Sequence, residues 1–260
     1  MKYLQLIMLT LLITAAQLRA QDLSKYNKGT FVKGKDSINY QVLLPENFDE
    51  TQQYPLLIFL HGSGERGSDN EKQLTHGGKL FLDSAIRRKF PAIVVFPQCP
   101  EDDRWTAAER IPGEKGKNAL VFKKGGKPTA TMRALVRMTD DFLNKPFVDR
   151  KQVYVGGLSM GAMGTYELLR RKPKIFAAAF AICGGDNLAN VKKYKHIPLW
   201  IFHGGKDDVV SPELSKEIAD HLKVIGKEVK FTLYADDNHN SWDSAFAEPQ
   251  LLPWLFSHKK

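Results

Sequence analysis

The residues Gly157-Leu158-Ser159-Met160-Gly161 set a serine between two glycines in the spacing Gly-x-Ser-x-Gly. That spacing suits a serine on a very tight turn between a strand and a helix, where its hydroxyl projects from the top of a sheet. The pattern alone arises by chance in roughly one chain in ten of this size. Its setting gives it weight: the short apolar run Val153–Val155 precedes it and the helix-like stretch 162–171 follows. A serine near neutral pH is a weak nucleophile and needs a base, and the base needs an orienting group. Downstream, Asp207 and Asp208 follow the apolar run Leu199–Phe202, and His239 follows Val229–Tyr234, with Asp236 and Asp237 close by. Serine, acid and histidine in this order along the chain suit acyl transfer through a covalent intermediate. The Met160 amide, at the start of the following helix, is placed to stabilise a developing oxyanion.

Side chains so far apart in sequence meet only if the elements before them share one edge of a sheet. Six apolar runs alternate with helical patterns: Leu56–Leu60, Ala92–Phe96, Val153–Val155, Ala177–Ile182, Leu199–Phe202 and Val229–Tyr234. Short runs without polar alternation read as strands buried on both faces, as in parallel sheets. The last run alternates, which places it near an edge of the sheet. Residues 31–44 alternate weakly, as an antiparallel hairpin at the opposite edge would. Met132, Leu135, Val136, Phe142 and Leu143 share one face of a helix ending before Pro146. A second helix opens at Ser211-Pro212, with Ser211 as its cap, and stops at Gly226. The alternation predicts an α/β chain with a mostly parallel, doubly wound sheet. In such a sheet, loops after the strands converge on one rim.

Composition closes other routes. Charged residues make up 26% of the 260 and apolar ones 43%, a globular balance. Cys99 and Cys183 are the only cysteines, too few for a thiolate zinc site or a disulfide scaffold. His61 and His203 stand in His-Gly turns at strand ends, without metal-ligand spacing; no metal and no cofactor is expected. The formal net charge is +9. The densest basic stretch, Lys115–Lys127, is glycine-rich and carries one aromatic, Phe122, which reads as a solvated loop and not as a nucleic-acid groove. Within the wider segment 111–127 the same residues are also placed to border the entrance to a site. Residues 1–20, with Lys2, the apolar stretch Leu4–Ala16 and small Ala20, have the form of a secretory signal peptide cleaved before Gln21. That leaves 21–260 as one secreted or periplasmic domain without stable membrane insertion.

Six blocks together resemble the α/β-hydrolases: LHGSGERG at 60–67, FPQCP at 96–100, GLSMGAMGTYEL at 157–168, FAAAFAICGG at 176–185, FHGGKDDVVS at 202–211 and YADDNHNSW at 234–242. The resemblance is to the exported esterase branch grouped with polyhydroxybutyrate depolymerases, feruloyl esterases and prolyl-oligopeptidase-like hydrolases, and runs from Tyr40 to Phe256. It implies a single-domain α/β-hydrolase fold with an antiparallel N-terminal edge. In the sheet order that fold usually shows, Cys99 and Cys183 follow strands three places apart, too far for a disulfide, so two buried thiols are expected. It also implies hydrolysis of carboxylic esters through an acyl-enzyme, on carbohydrate-linked, polyester or smaller substrates. Ser159 would be the nucleophile, His239 the base, and Asp207, in preference to Asp208, the orienting acid. The His61-Gly62-Ser63-Gly64 loop would give the second oxyanion donor, from the Ser63 amide, with Gly64 as the alternative. Gly64, Arg66, Trp105 and Trp242 are candidate pocket walls. Two rivals stand beside this reading: a serine peptidase, and an inactive fold that binds polymers. No propeller fits the length and no triad member is missing.

Overall fold

The computed structural model describes residues 23–112 and 118–260. The expected signal peptide lies outside the described residues. Eight strands form one sheet: β1 (Asn27–Lys33), β2 (Asp36–Leu43), β3 (Tyr54–Leu60), β4 (Ile93–Gln98), β7 (Val148–Leu158), β8 (Ala178–Ile182), β9 (Leu199–Gly204) and β10 (Val229–Tyr234). Their order is β1-β2-β4-β3-β7-β8-β9-β10. β1 and β2 pair antiparallel, as do β2 and β4. From β4 to β10 every pairing is parallel. This is the mixed sheet with an antiparallel N-terminal edge that the sequence predicts, and β10 closes the other edge. Two further strands, β5 (Glu109–Pro112) and β6 (Asn118–Val121), pair antiparallel outside it.

The central strands explain their own sequences. All of Leu56–Leu60 is buried, and alternate side chains enter two different cores. Leu56, Ile58 and Leu60 join Val153, Val155, Ala179 and Ile201 on one face. There they meet the helices α3 (Ala130–Leu143), α4 (Met160–Arg171), α5 (Leu188–Val191) and α6 (Pro212–Val224). Leu57 and Phe59 join Tyr154, Phe180 and Phe202 on the other. That face is covered by α1 (Gly78–Leu82), α2 (Ser84–Lys89), α7 (Trp242–Ala247) and α8 (Leu251–Ser257). With both faces covered, a strand has no polar side, so its residues read as a continuous apolar run.

Helix α6 ends as expected. Gly226 takes a left-handed φ of 68°, its amide bonds to the Lys223 carbonyl and the Lys227 amide reaches Leu222. Its start differs. Ser211 occupies the cap position, but its hydroxyl donates to the Glu213 carboxylate and caps no backbone amide. Cys99 and Cys183 are free and buried, after strands three places apart in the sheet. Burial pushes the Cys99 thiol up to about 12 and that of Cys183 higher still, which makes both poor nucleophiles.

Candidate active site

Ser159 sits at the junction of β7 and α4 with φ 52° and ψ −120°, a backbone conformation rare for any residue with a side chain. Its amide is anchored to the Ile182 carbonyl at 2.8 Å. The turn is this tight because α4 starts hard against β3. A Cβ on Gly161 would lie 1.9 Å from the Leu60 carbonyl oxygen, so only glycine fits. The strain therefore has a defined support, and it lifts the hydroxyl out of the sheet's C-terminal rim.

The loops after β9 and β10 are pressed together beside this turn. A Cβ on Gly204 would meet the Asn238 carbonyl oxygen at 2.3 Å. The Gly205 amide bonds to Tyr234 and the Lys206 amide to Asp237. Asn238 Oδ1 accepts from the backbone amides of His239 and Asp208 at 2.6 and 3.2 Å, tying the two loops by a side chain as well. The outcome is a continuous chain: Ser159 Oγ lies 2.9 Å from His239 Nε2, and His239 Nδ1 lies 2.8 Å from Asp207 Oδ2. With Nδ1–H donating to the carboxylate, Nε2 keeps a lone pair for the serine proton. Asp208 does not enter the chain; it is exposed.

Asp207 is held by four donors. His239 Nδ1 and His203 Nε2 approach Oδ2, at 2.8 and 3.1 Å, while the amides of Val209 and Val210 each lie 2.9 Å from Oδ1. Burial by itself raises a carboxyl, yet the hydrogen bonds from the two histidines and the two amides outweigh it here. They hold Asp207 well below the usual carboxylate range. The His203 contribution was not legible as such in the sequence, where His203 reads as a turn residue. Its Nε2 faces two acceptors, Asp207 Oδ2 and the Val210 carbonyl oxygen at 3.0 Å, so that nitrogen carries the proton. The spacing of His203 and Asp207, four residues apart across a glycine turn, was the available signal. Behind the pair, the Cys183 sulfur lies within 4.8 Å of the Asp207 and His239 ligand atoms.

His61 is structural, as its His-Gly turn predicts. Its Nε2 accepts from the Cys99 amide at 3.0 Å and its Nδ1 donates to the Gly62 carbonyl at 2.6 Å. Burial lowers its pKa to about 4, keeping the ring neutral. The ring pins the loop carrying Ser63, a 3-10 turn over Ser63–Glu65. Ser63, Met160 and Ser159 border one cavity of about 180 Å³. Met160 opens α4, where first-turn amides lack acceptors within the helix. The same cavity is bordered by Arg66, and by Arg110 and Leu120 of the β5–β6 hairpin. The segment read as a solvated loop is thus, in part, a strand pair at the cavity's edge.

Three pocket expectations need correction. Trp105 is fully buried; its Nε1–H donates to the His61 carbonyl at 3.0 Å, and its ring packs against the His61 ring. It is a core residue supporting the Ser63 loop and not a wall. Gly64 is exposed, with open space where a side chain would point, and does not border the cavity. Trp242 stands edge-on to the His239 ring at 5.5 Å and also contacts His76, so it supports the histidine and lies outside the cavity.

The geometry now has a family around it. Residues 48–250 match the model of the phospholipase/carboxylesterase family. The chain belongs to that family of α/β-hydrolases. A solved thermostable esterase superposes with a TM-score of 0.81 at 30% identity, covering 92% of this chain and 64% of that one. A bifunctional acetylxylan esterase/xylanase from Neocallimastix patriciarum is 38% identical over 159 residues, 60% of this chain and 20% of that protein. "Probable feruloyl esterase C" from Aspergillus terreus is 26% identical over 177 residues, 67% of this chain and 57% of that protein. The chain therefore spans less than two thirds of each of these relatives. Among the described residues no helix is long and apolar enough to cross a membrane.

Proposed function

We propose that this phospholipase/carboxylesterase family member is an exported serine esterase. The observation that carries the reading is the unbroken hydrogen-bond chain from Ser159 through His239 to Asp207, opening on a cavity that Ser63 and Met160 also border. Ser159 Oγ attacks the ester carbonyl carbon while His239 Nε2 takes its proton. Asp207, kept ionised, fixes the imidazole's tautomer and stabilises the imidazolium that forms. The amides of Met160 and Ser63 receive the oxyanion, an interaction of about 3–4 kcal/mol per donor in sites of this type. His239 then protonates the leaving alcohol oxygen, and water, deprotonated by the same ring, cleaves the acyl-enzyme to free acid.

The ester class is supported by the named activities of the relatives, acetylxylan and feruloyl ester hydrolysis, and polysaccharide-linked esters are the substrates to try first. A fluorophosphonate probe tests the mechanism directly. Covalent labelling at Ser159 is expected, with loss of both label and turnover in Ser159→Ala, a fall of roughly 10⁴-fold or more in kcat. A folded protein that turns over esters without labelling at Ser159 would overturn the assignment. One that neither labels nor hydrolyses any ester would favour a polymer-binding role.

A further inference from the structure

The cavity beside Ser159 is two-faced. One wall is apolar, formed by Leu120, Met163 and Val210, while Arg66, Arg104 and Arg110 stand around the rest, and among the described residues no carboxylate borders it. Three acids on the same loops are engaged elsewhere. Glu65 faces His76, Glu109 pairs with Lys123, and Asp103 receives the Thr131 amide and hydroxyl. The guanidiniums, by contrast, keep donors to spare. Arg66 bonds through Nε to the Ser63 carbonyl and through Nη1 to the Glu101 carbonyl, which fixes the group but leaves Nη2 without a protein acceptor among the described residues. Arg104 uses only Nη1, on the Ala108 carbonyl, and Arg110 makes no side-chain hydrogen bond or ion pair among the described residues. Three cations facing one small cavity, with no counter-charge among its described lining residues, repel one another, a cost that a bound anion removes.

Resting on the serine-esterase reading above, we propose that this cavity selects esters carrying a carboxylate: a short apolar spacer lies on Leu120, Met163 and Val210, and the anionic end pairs with Arg104 and Arg110. The volume, about 180 Å³, is below the roughly 300–1,000 Å³ of sites for drug-sized ligands, so the group it takes is small. Arginine suits the task because its planar fork meets a carboxylate through two parallel hydrogen bonds. The carboxylate belongs either to the acyl part or to the alcohol part of the ester, and both have the same recognition chemistry.

Two matched pairs separate these sources while holding shape nearly constant. Monophenyl adipate against the phenyl ester of adipic monoamide places the charge in the acyl part. Then 3-acetoxybenzoate against 3-acetoxybenzamide places it in the alcohol part. At low ionic strength the carboxylate member of at least one pair is expected to show kcat/KM about fivefold above its amide. The ratio should fall to near one in the double variant Arg104→Gln/Arg110→Gln, and should shrink in about 0.5 M salt, where exposed charges are screened. A ratio at or below one in both pairs, or a preference that survives in the double variant, overturns the proposal. Calorimetric titration of Ser159→Ala with the same four esters reads the preference without turnover. If wild type neither hydrolyses any of the four nor labels with the fluorophosphonate, the esterase reading fails, whereas equal binding of acid and amide to Ser159→Ala sinks the anion site alone.

Discussion

Two aspartates in this chain, one buried and one half-buried, meet opposite fates. Asp207, after β9, and Asp186, after β8, both stand beyond the C-terminal ends of neighbouring strands, and both are enclosed by hydrogen-bond donors. Asp207 is held well below the usual carboxylate range, while burial pushes Asp186 up to about 6. The donors explain the difference. Asp207 takes two imidazole N–H groups and two backbone amides. Asp186 takes the Asn190 side-chain amide, the Asn187 backbone amide and the Tyr194 hydroxyl, with the Glu167 charge acting against it. Three donors opposed by a neighbouring carboxylate only partly offset desolvation; two imidazoles and two backbone amides reverse it. Burial alone therefore does not decide whether a carboxyl stays ionised. The partners decide.

The sharpest way to break this contrast is to neutralise the working member. Asp207→Asn should lower kcat on a nitrophenyl ester by about 10⁴-fold, since the amide no longer holds His239 in the tautomer that accepts the serine proton. Asp208→Asn should stay within about twofold, and a reversal of those two results would move the acid one residue along. Next in size is the positioning residue His203. His203→Asn removes one donor from Asp207, and a fall in kcat of roughly 100-fold with little change in KM is expected, by analogy with groups that orient metal-bound histidines. The acid limb of its pH–rate profile should also move to higher pH, because Asp207 then protonates more readily. A loss of stability without that shift would leave His203 merely structural.

Legibility in the sequence followed burial and side-chain chemistry. The run Leu56–Leu60 was readable because every residue is buried. Only the apolar end of β7 was readable, since Asp149, Arg150 and Lys151 fill its other half and its register with β3 is irregular there. The hairpin of β5 and β6 was hidden by charged and glycine-rich sequence. The short helices α7 and α8 offered too few turns for a 3.6-residue period to show. At the site, the chain order of Ser159, Asp207 and His239 pointed to three loops on one rim, and the structure brings their atoms within hydrogen-bond range. Trp105 misled because an aromatic near a glycine-rich loop resembles a pocket wall. Only the folded packing reveals that the His61 carbonyl occupies its N–H.

The idle aspartate supplies the smallest but most diagnostic effect. In the unfolded chain its carboxyl titrates near 3.8, and in the folded chain near 6. Between those values the folded state holds a proton that the unfolded state has released, so stability falls as pH rises through that window. Asp186 thus favours the native state fully below pH 3.8 and has withdrawn that support once pH passes about 6. Across pH 4 to 6 the loss amounts to about 2 kcal/mol. In Asp186→Asn the side chain stays neutral at every pH, so its urea midpoint should vary less over that range than the wild type's. Turnover should remain within about twofold, because Asp186 touches none of Ser159, His239 and Asp207. Parallel pH curves for the two proteins would mean that Asp186 is ionised at ordinary cost, and the contrast with Asp207 would then reduce to geometry alone.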